Sequence, residues 1–511
     1  MPRMSDRFVR DGRELPPELE EHRIKIEDLA RKHGLDFFDT IFQMCTYEEI
    51  NFLAAYGGFP TRYPHWRFGM EYTQTGKSYE YGLSKIYEMV INTDPSYAYL
   101  LDNNLLVDQK LVMAHVFGHV DFFKNNLWFA PTNRKMLDQM ANHATKVRKI
   151  MDRHGQAEVE AWIDVCLSVD NLIDPYSPHI KRQADPKTED QIEAEEMKDG
   201  RVRLPNERGE YMEDFINPPE FLDEQEKEHK ASVKKLRDFP ESPVRDVMGF
   251  LVNHARLPKW KQQILAIIHA EAMYFAPQGQ TKVMNEGWAS LWHTRLMTEH
   301  ILEPDEAITY ADHNSGTMAM RPGQFNPYAL GIKLWRHIEE RWNKGQFGKD
   351  WDECKDPEER LRWDTGAMKG KEKIFQVRQT HNDITFIDEF LTPEFCREFG
   401  FFTTRYDSQS RKWIMDSEEY LDVKDQLLGM LSSRGTPLVY VNDANAYNRG
   451  ELMLEHSHDG RDIKLDWAVP TLKNLVAIWG RPVHIRTIVD GEETQLTHDG
   501  SEHITRTLDK A

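Results

Sequence analysis

An acidic side chain stands in the middle of one of the most apolar runs of the chain. Glu271 lies within ILAIIHAEAMYF, residues 264–275, where nearly every neighbour is hydrophobic. A carboxylate in such surroundings is strongly disfavoured unless it is paired, protonated or bound to a cation. The run therefore predicts a buried helix, and Glu271 is a candidate member of a chemical site.

A second acidic segment, NEGWA at 285–289, follows the apolar run and leads to His293. Glu286 and His293 are seven residues apart, so a helix places them on one face, and the small Ala289 between them leaves space for an ion. His269 and Glu271 are only two residues apart, about 200° around a helix, so they cannot both point into one site. The more apolar stripe favours Glu271 as the inward group.

A separate helical run, residues 105–127, carries His115 and His119 four positions apart on one face. With 21 histidines in the chain, about 0.8 such pairs are expected by chance, so the spacing needs its context. Here the context is a long apolar helix, where two unsatisfied imidazoles are costly and where both rings can bind one metal ion. The alternative is that Glu271 and Glu286 are buried partners of Lys or Arg.

Hydrophobic periodicity predicts a mainly α fold, with a large helical N-terminal domain and a small α+β C-terminal domain. Residues 17–56 are predicted as helical, because apolar side chains recur there at helical spacing until Gly57. Short alternating strands after residue 434 surround one helix at 471–480. The predicted parts are a first helical half (1–175), an acidic linker or insertion (176–240), a second helical half with the candidate site (241–380), a connecting helical segment (381–433) and the small α+β domain (434–511).

The composition restricts the function classes. A net charge of −20 argues against a nucleic-acid-binding surface as the main feature. The four cysteines are far apart, which suits a reducing compartment and gives no thiolate metal site. No apolar run approaches the length of a membrane span, and the first residues lack the apolar core of a signal peptide. We expect a cytoplasmic protein.

The segment NEGWA resembles the Asn-Glu-Gly-aromatic-Ala stretch of the gluzincin metallopeptidases, whose Glu is the third zinc ligand. The resemblance implies that Glu286 binds a divalent metal, with zinc the first candidate, beside His115 and His119. His269 and His293 are then outer-layer or substitute ligands. The sequence departs from the usual His-Glu-x-x-His motif of these enzymes, because Val116 occupies the position of the general-base Glu. We expect Glu271 to supply that base.

The chain as a whole resembles the SpoVR (stage V sporulation protein R) family. The segments that carry the resemblance are HWRFGMEY (65–72), GLSKIYEMVINTDPSYAYL (82–100), AHVFGHVDFFKNN (114–126), residues 269–293 and NPYALGIKLW (326–335). The resemblance implies a role in spore cortex formation, or in cell-envelope, stationary-phase and stress physiology in bacteria that do not sporulate. It also implies two partners, a PrkA-type serine protein kinase and a von Willebrand-like protein.

Two hypotheses follow from the sequence. The first is a metal-dependent hydrolase with a degenerate gluzincin-like site, in which His115, His119 and Glu286 hold the ion. The second is a regulatory protein without catalysis, which acts with the kinase and its partner protein. The clustering of His and Glu in apolar segments favours the hydrolase, and Val116 favours the regulator.

Overall fold

A computed structural model describes residues 13–80, 88–180, 218–237, 239–319, 326–401, 404–407, 412–415, 417, 419–432 and 436–508. The fold is mostly helical, with a small β-rich region near the C-terminus, as the sequence predicts. Most of the predicted acidic linker, 176–240, lies outside the described residues. No helix in the described ranges combines the length and apolar character that a membrane crossing requires.

The helices of the described chain are α1 (Pro17–Lys32), α2 (Tyr47–Ala55), α3 (Trp66–Glu80), α4 (Leu106–Asn125), α5 (Met136–His154), α6 (Gln156–Leu167), α7 (Pro219–Arg237), α8 (Val247–His254), α9 (Lys259–Gln280), α10 (Lys282–Leu296), α11 (Ala307–Thr317), α12 (Pro327–Asn343), α13 (Lys349–Glu353), α14 (Pro357–Arg362), α15 (Gly370–Thr380), α16 (Asp383–Phe390), α17 (Pro393–Phe399), α18 (Tyr420–Ser432) and α19 (Leu465–Trp479). The strands are β1 (Thr40–Cys45), β2 (Glu88–Ile91), β3 (Ser96–Leu101), β4 (Thr404–Asp407), β5 (Lys412–Met415), β6 (Val439–Ala446), β7 (Glu451–His456), β8 (Val483–Val489), β9 (Glu492–His498) and β10 (His503–Thr507).

The prediction of helix throughout 17–56 is wrong in its middle. Helix α1 ends at Lys32, and Gly34 follows with φ +90°, a conformation that a glycine adopts without a Cβ clash. The chain then forms β1, which pairs with β3 in parallel in a sheet of order β1-β3-β2. Phe37 and Phe42 are buried, one just before β1 and one within it, and the pairing of β1 with β3 overrides the helical spacing of these apolar residues.

The described chain divides into two compact units, and their boundaries differ from the predicted domains. The first unit contains residues 1–160 and 274–435, and the second contains 161–273 and 436–511. In the second unit, the five strands run in the order β10-β9-β8-β7-β6. Residues 436–511 join the earlier segment because Val244 bridges to Val441 and because the ring of Phe250 contacts that of Trp479.

Helix α10 is the centre of the first unit, where it packs between α4 and α12. Two glycine contacts set these spacings. A Cβ on Gly118 of α4 would lie 2.7 Å from the Cα of Ala289, and one on Gly287 of α10 would collide with the backbone of Gly331 on α12. Because neither pair of helices carries a large side chain at its crossing, the backbones approach closely and bring their flanking residues together.

Candidate metal centre

Three side chains from α4 and α10 meet at one point in the first unit. Oε2 of Glu286 lies 3.6 Å from Nε2 of His115 and 3.4 Å from Nε2 of His119. Ligands bound to a tetrahedral zinc ion by bonds of about 2.1 Å are about 3.4 Å apart. The two distances to Oε2 therefore suit the ligands of one tetrahedral ion, and the candidate ligand atoms of all three residues lie within 4.8 Å of one another.

The helical geometry explains how the three ligands meet. His115 and His119 occupy successive turns of one face of α4, and their ring centroids are 4.5 Å apart. Glu286 is three residues before Ala289, the residue against which Gly118 packs. The small side chain of Ala289 permits the close crossing of α4 and α10, rather than leaving space for an ion as the sequence suggested.

The surroundings of the Glu286 carboxylate favour the binding of a cation. Its Oε2 atom is buried and has no hydrogen-bond partner in the described part of the chain. An ionised carboxylate oxygen without a hydrogen bond is costly to bury, and a bound cation would remove that cost.

A second layer of hydrogen bonds orients both histidines. Nδ1 of His119 lies 2.9 Å from Oδ1 of Asn285, an acceptor only, so this nitrogen carries the proton. Nδ1 of His115 lies 2.9 Å from Nδ1 of His293, whose Nε2 lies 3.4 Å from Oδ1 of Asn314. Burial and the neighbouring His115 hold the pKa of His293 well below its ordinary value, so His293 is neutral.

These hydrogen bonds determine which ring nitrogen of each histidine carries the proton. Neutral His293 donates a hydrogen bond from Nε2 to Oδ1 of Asn314, and its Nδ1 accepts a hydrogen bond from the Nδ1–H of His115. Both ligand histidines therefore present an unprotonated Nε2 towards Glu286, which is the arrangement that metal-binding histidines adopt when their other nitrogen donates to an outer partner. His293 is thus an orienting residue for His115.

A buried ion pair holds the surrounding helices in place. Oδ1 of Asp121 lies 2.5 Å from Nη1 of Arg378 on α15, and Oδ2 accepts a 2.8 Å hydrogen bond from Nε1 of Trp288 on α10. The backbone N–H of Asp36 also donates to this carboxylate at 2.8 Å. Asp121 is two residues beyond His119, so α4 is joined to α10 and α15 within one helical turn of His119.

His269 and Glu271, the other two predicted site residues, belong to the second unit. Nε2 of His269 lies 3.0 Å from Oδ2 of Asp246, which also caps α8 by accepting from the N–H of Gly249. Glu271 is 4% exposed, so the prediction that it points inward agrees with its burial. The structure groups neither residue with His115, His119 and Glu286.

The position of the gluzincin general base holds no titratable group. Val116 is fully buried and contributes only to the hydrophobic core. A second cluster with metal-ligand chemistry, made of His33, Glu299 and His300, lies at the surface of the first unit. Its Nε2 atoms on His33 and His300 are 3.0 Å apart, a distance that a hydrogen bond between the two rings explains.

Sequence reasoning missed four polar residues near the ligands: Asp108, Ser290, His313 and Asn314. The sequence indicates an ordinary polar or core role for His313 and does not mark Asp108, Ser290 or Asn314, although two of the four carry a helical signal. Asp108 precedes His115 by seven residues, and Ser290 follows Glu286 by four, so each lies on the same helix face as a ligand. Nothing in the sequence indicates that α11 brings His313 and Asn314 to the same place.

Comparison with known proteins finds matches that cover most of the chain. The family model described as "SpoVR like protein" matches residues 14–436. The "Uncharacterized protein YcgB" of Escherichia coli (strain K12) is 27% identical over 490 residues, which cover 90% of each chain. No solved structure matches the chain.

Proposed function

This chain belongs to the SpoVR family, and from the geometry of its triad we propose that it is a metal-dependent hydrolase whose His115, His119 and Glu286 bind one divalent ion. The observation that carries the proposal is the pair of distances, 3.6 and 3.4 Å, between Oε2 of Glu286 and the Nε2 atoms of the two histidines. Two neutral imidazoles and one carboxylate form the ligand set of many catalytic zinc sites, so zinc is the best match.

Several residues have distinct roles at the proposed site. A divalent ion bound there would polarise a carbonyl oxygen and lower the pKa of a water molecule. Asn285 and His293 hold the two ligand histidines in the correct tautomer. Trp288 and the Asp121–Arg378 pair keep α4, α10 and α15 at fixed spacing around the site.

The ligand set of the proposal differs from that of the sequence hypothesis. His269 is outside it because its Nε2 is engaged by Asp246 in the second unit. Glu271 is not a member of the cluster formed by His115, His119 and Glu286, so the proposal gives the proton transfer to a different group. His293 is an orienting residue whose ring nitrogens are both engaged.

A non-catalytic function is the second candidate, and Val116 favours it because the usual general base is absent. In that case the polar cluster would organise a helical core, and the protein would act in the cytoplasm with a PrkA-type kinase and a von Willebrand-like partner. The physiological setting suggested by the family resemblance, spore cortex or cell-envelope and stationary-phase physiology, suits either candidate.

Elemental analysis of the purified protein separates the two candidates. We expect close to one zinc per wild-type chain and a loss of that ion in His119→Ala and Glu286→Ala. His300→Ala, in the exposed second cluster, is the matched control and should retain the ion. A folded wild-type protein that stays metal-free after incubation with zinc would refute the hydrolase proposal and favour the regulator.

A further inference from the structure

A cavity of about 270 Å³ adjoins the triad. His115 forms part of its wall, so the cavity reaches one of the proposed ligands. The other described residues that line it are Asp108, Leu111, Val112, Ser290, His293, His313, Asn314, Thr317 and Tyr328. This wall contains hydrophobic side chains, hydrogen-bonding groups and one carboxylate, that of Asp108, and its described part includes no Lys or Arg.

A His–Asp pair stands in the wall of this cavity. Nδ1 of His313, on α11, lies 2.6 Å from Oδ1 of Asp108, which is two helical turns before His115 on α4. Asp108 is buried, with 7% of its surface exposed, whereas the side chain of His313 is 30% exposed. The carboxylate therefore fixes the proton on Nδ1 of His313, and no hydrogen bond within the described chain engages Nε2.

An unsatisfied polar group independently points to a ligand in the cavity. The hydroxyl of Ser290 is fully buried and has no hydrogen-bond partner among the described residues. Ser290 lies on α10 between Glu286 and His293, on the face that carries both of them. Buried hydroxyls are normally hydrogen-bonded, so this group is suited to a partner that enters the cavity.

We propose that the cavity is the substrate pocket of the metal site, that it takes a small uncharged ester or amide, and that His313 is the general acid–base oriented by Asp108. The proposal rests on the proposed function. The substrate class follows from the wall, which offers a hydroxyl and amide groups for hydrogen bonds but no described cation for a phosphate or carboxylate. His313 would thereby replace the carboxylate that is missing at position 116.

The reaction balances with these groups. As the oxygen of a water molecule bonds to the carbonyl carbon, Nε2 of His313 takes one proton from it. The imidazolium is stabilised by Asp108 and returns that proton to the leaving oxygen or nitrogen as the C–O or C–N bond breaks. One water is consumed and a carboxylic acid and an alcohol or amine are released, with no oxidant or reductant.

The test measures ligand binding rather than turnover, because a binding assay does not require the natural substrate. The full-length protein is loaded with Co(II), and acetohydroxamate, a small chelator that offers a carbonyl oxygen and an N–O oxygen to a metal ion, is titrated while the visible absorption of Co(II) is recorded. We expect His313→Gln to retain Co(II) and to bind acetohydroxamate at least about 10-fold more weakly, as loss of one buried hydrogen bond implies. His154→Gln, at an exposed position on α5, is the matched control and should bind as the wild type does.

A second substitution tests Asp108 as a positioning residue. Asp108→Asn should weaken acetohydroxamate binding, whereas Asp108→Glu, which keeps the carboxylate, should recover part of the affinity. Wild-type affinity in His313→Gln would overturn this inference and leave the metal site standing. Co(II) uptake by the wild type without acetohydroxamate binding would also overturn it, and no Co(II) uptake at all would refute the proposed function itself.

Discussion

Gly118→Ala should weaken metal binding although it changes no ligand. The new Cβ would lie 2.7 Å from the Cα and 3.2 Å from the Cβ of Ala289. Because carbon atoms in contact prefer separations of about 3.5–4.0 Å, α4 and α10 must move apart by about 1 Å. Overpacking of this kind costs about 1–3 kcal/mol of unfolding free energy.

The same movement acts on the ligands. Oε2 of Glu286 now lies 3.4 Å from Nε2 of His119, and a further 1 Å would bring that distance to about 4.4 Å. Two metal–ligand bonds of about 2.1 Å cannot span more than about 4.2 Å. We therefore expect the zinc affinity to fall by at least about 10-fold, a loss within the range caused by changes around metal ligands.

The assay is a zinc competition titration with a chromogenic chelator, combined with urea unfolding of the metal-free protein. Gly69→Ala is the matched control, because Gly69 lies in α3 and an added Cβ would meet no atom within 4 Å. Alanine at that helical position should leave stability unchanged or raise it by up to about 1 kcal/mol. Unchanged zinc affinity and unchanged stability in Gly118→Ala would refute the reasoning.

Three further predictions concern the surroundings of the site. Asn285→Leu should lower zinc affinity by about 10–100-fold, because Nδ1 of His119 loses its acceptor, while Asn285→Asp should retain the affinity; equal titrations of both variants would contradict this. Arg378→Met should destabilise the protein by about 3–5 kcal/mol in urea, because the carboxylate of Asp121 stays buried without its cation; a loss below about 1 kcal/mol would count against the ion pair. Burial lowers the pKa of His337 to about 4, so the unfolded state binds the proton more readily, and metal-free stability should fall as the pH drops from about 6.5 to about 4. His337→Gln should flatten that pH dependence, and an unaltered slope in urea unfolding would show the assignment to be wrong.

The local hydrophobic periodicity predicted which side chains are buried but not in which unit of the chain they are buried. The pattern around Glu271 indicated burial, and the side chain is 4% exposed. The pattern did not indicate how the chain divides into compact units. Glu271 lies in the second unit, whereas Glu286 lies in the first. Burial is a property of a few helical turns, whereas the identity of the partners depends on contacts between distant segments.

The three residues of the candidate metal centre could be predicted from the sequence because their signals are local. His115 and His119 are set by the period of one helix, and Glu286 was recognised through a short motif with its own chemistry. The His313–Asp108 pair joins residues 205 positions apart and has no motif, so only the packing of α11 against α4 reveals it. The strand β1 was missed because its pairing with β3 outweighs the local helical spacing of its apolar residues.

Anomalous X-ray diffraction at the zinc absorption edge, on crystals of the zinc-incubated protein, tests the metal centre most directly. We predict one strong peak in the anomalous difference map at about 2.0–2.2 Å from Nε2 of His115, Nε2 of His119 and Oε2 of Glu286. A map with no peak between these three atoms, or with its strongest peak at His33 and His300, would contradict the assignment.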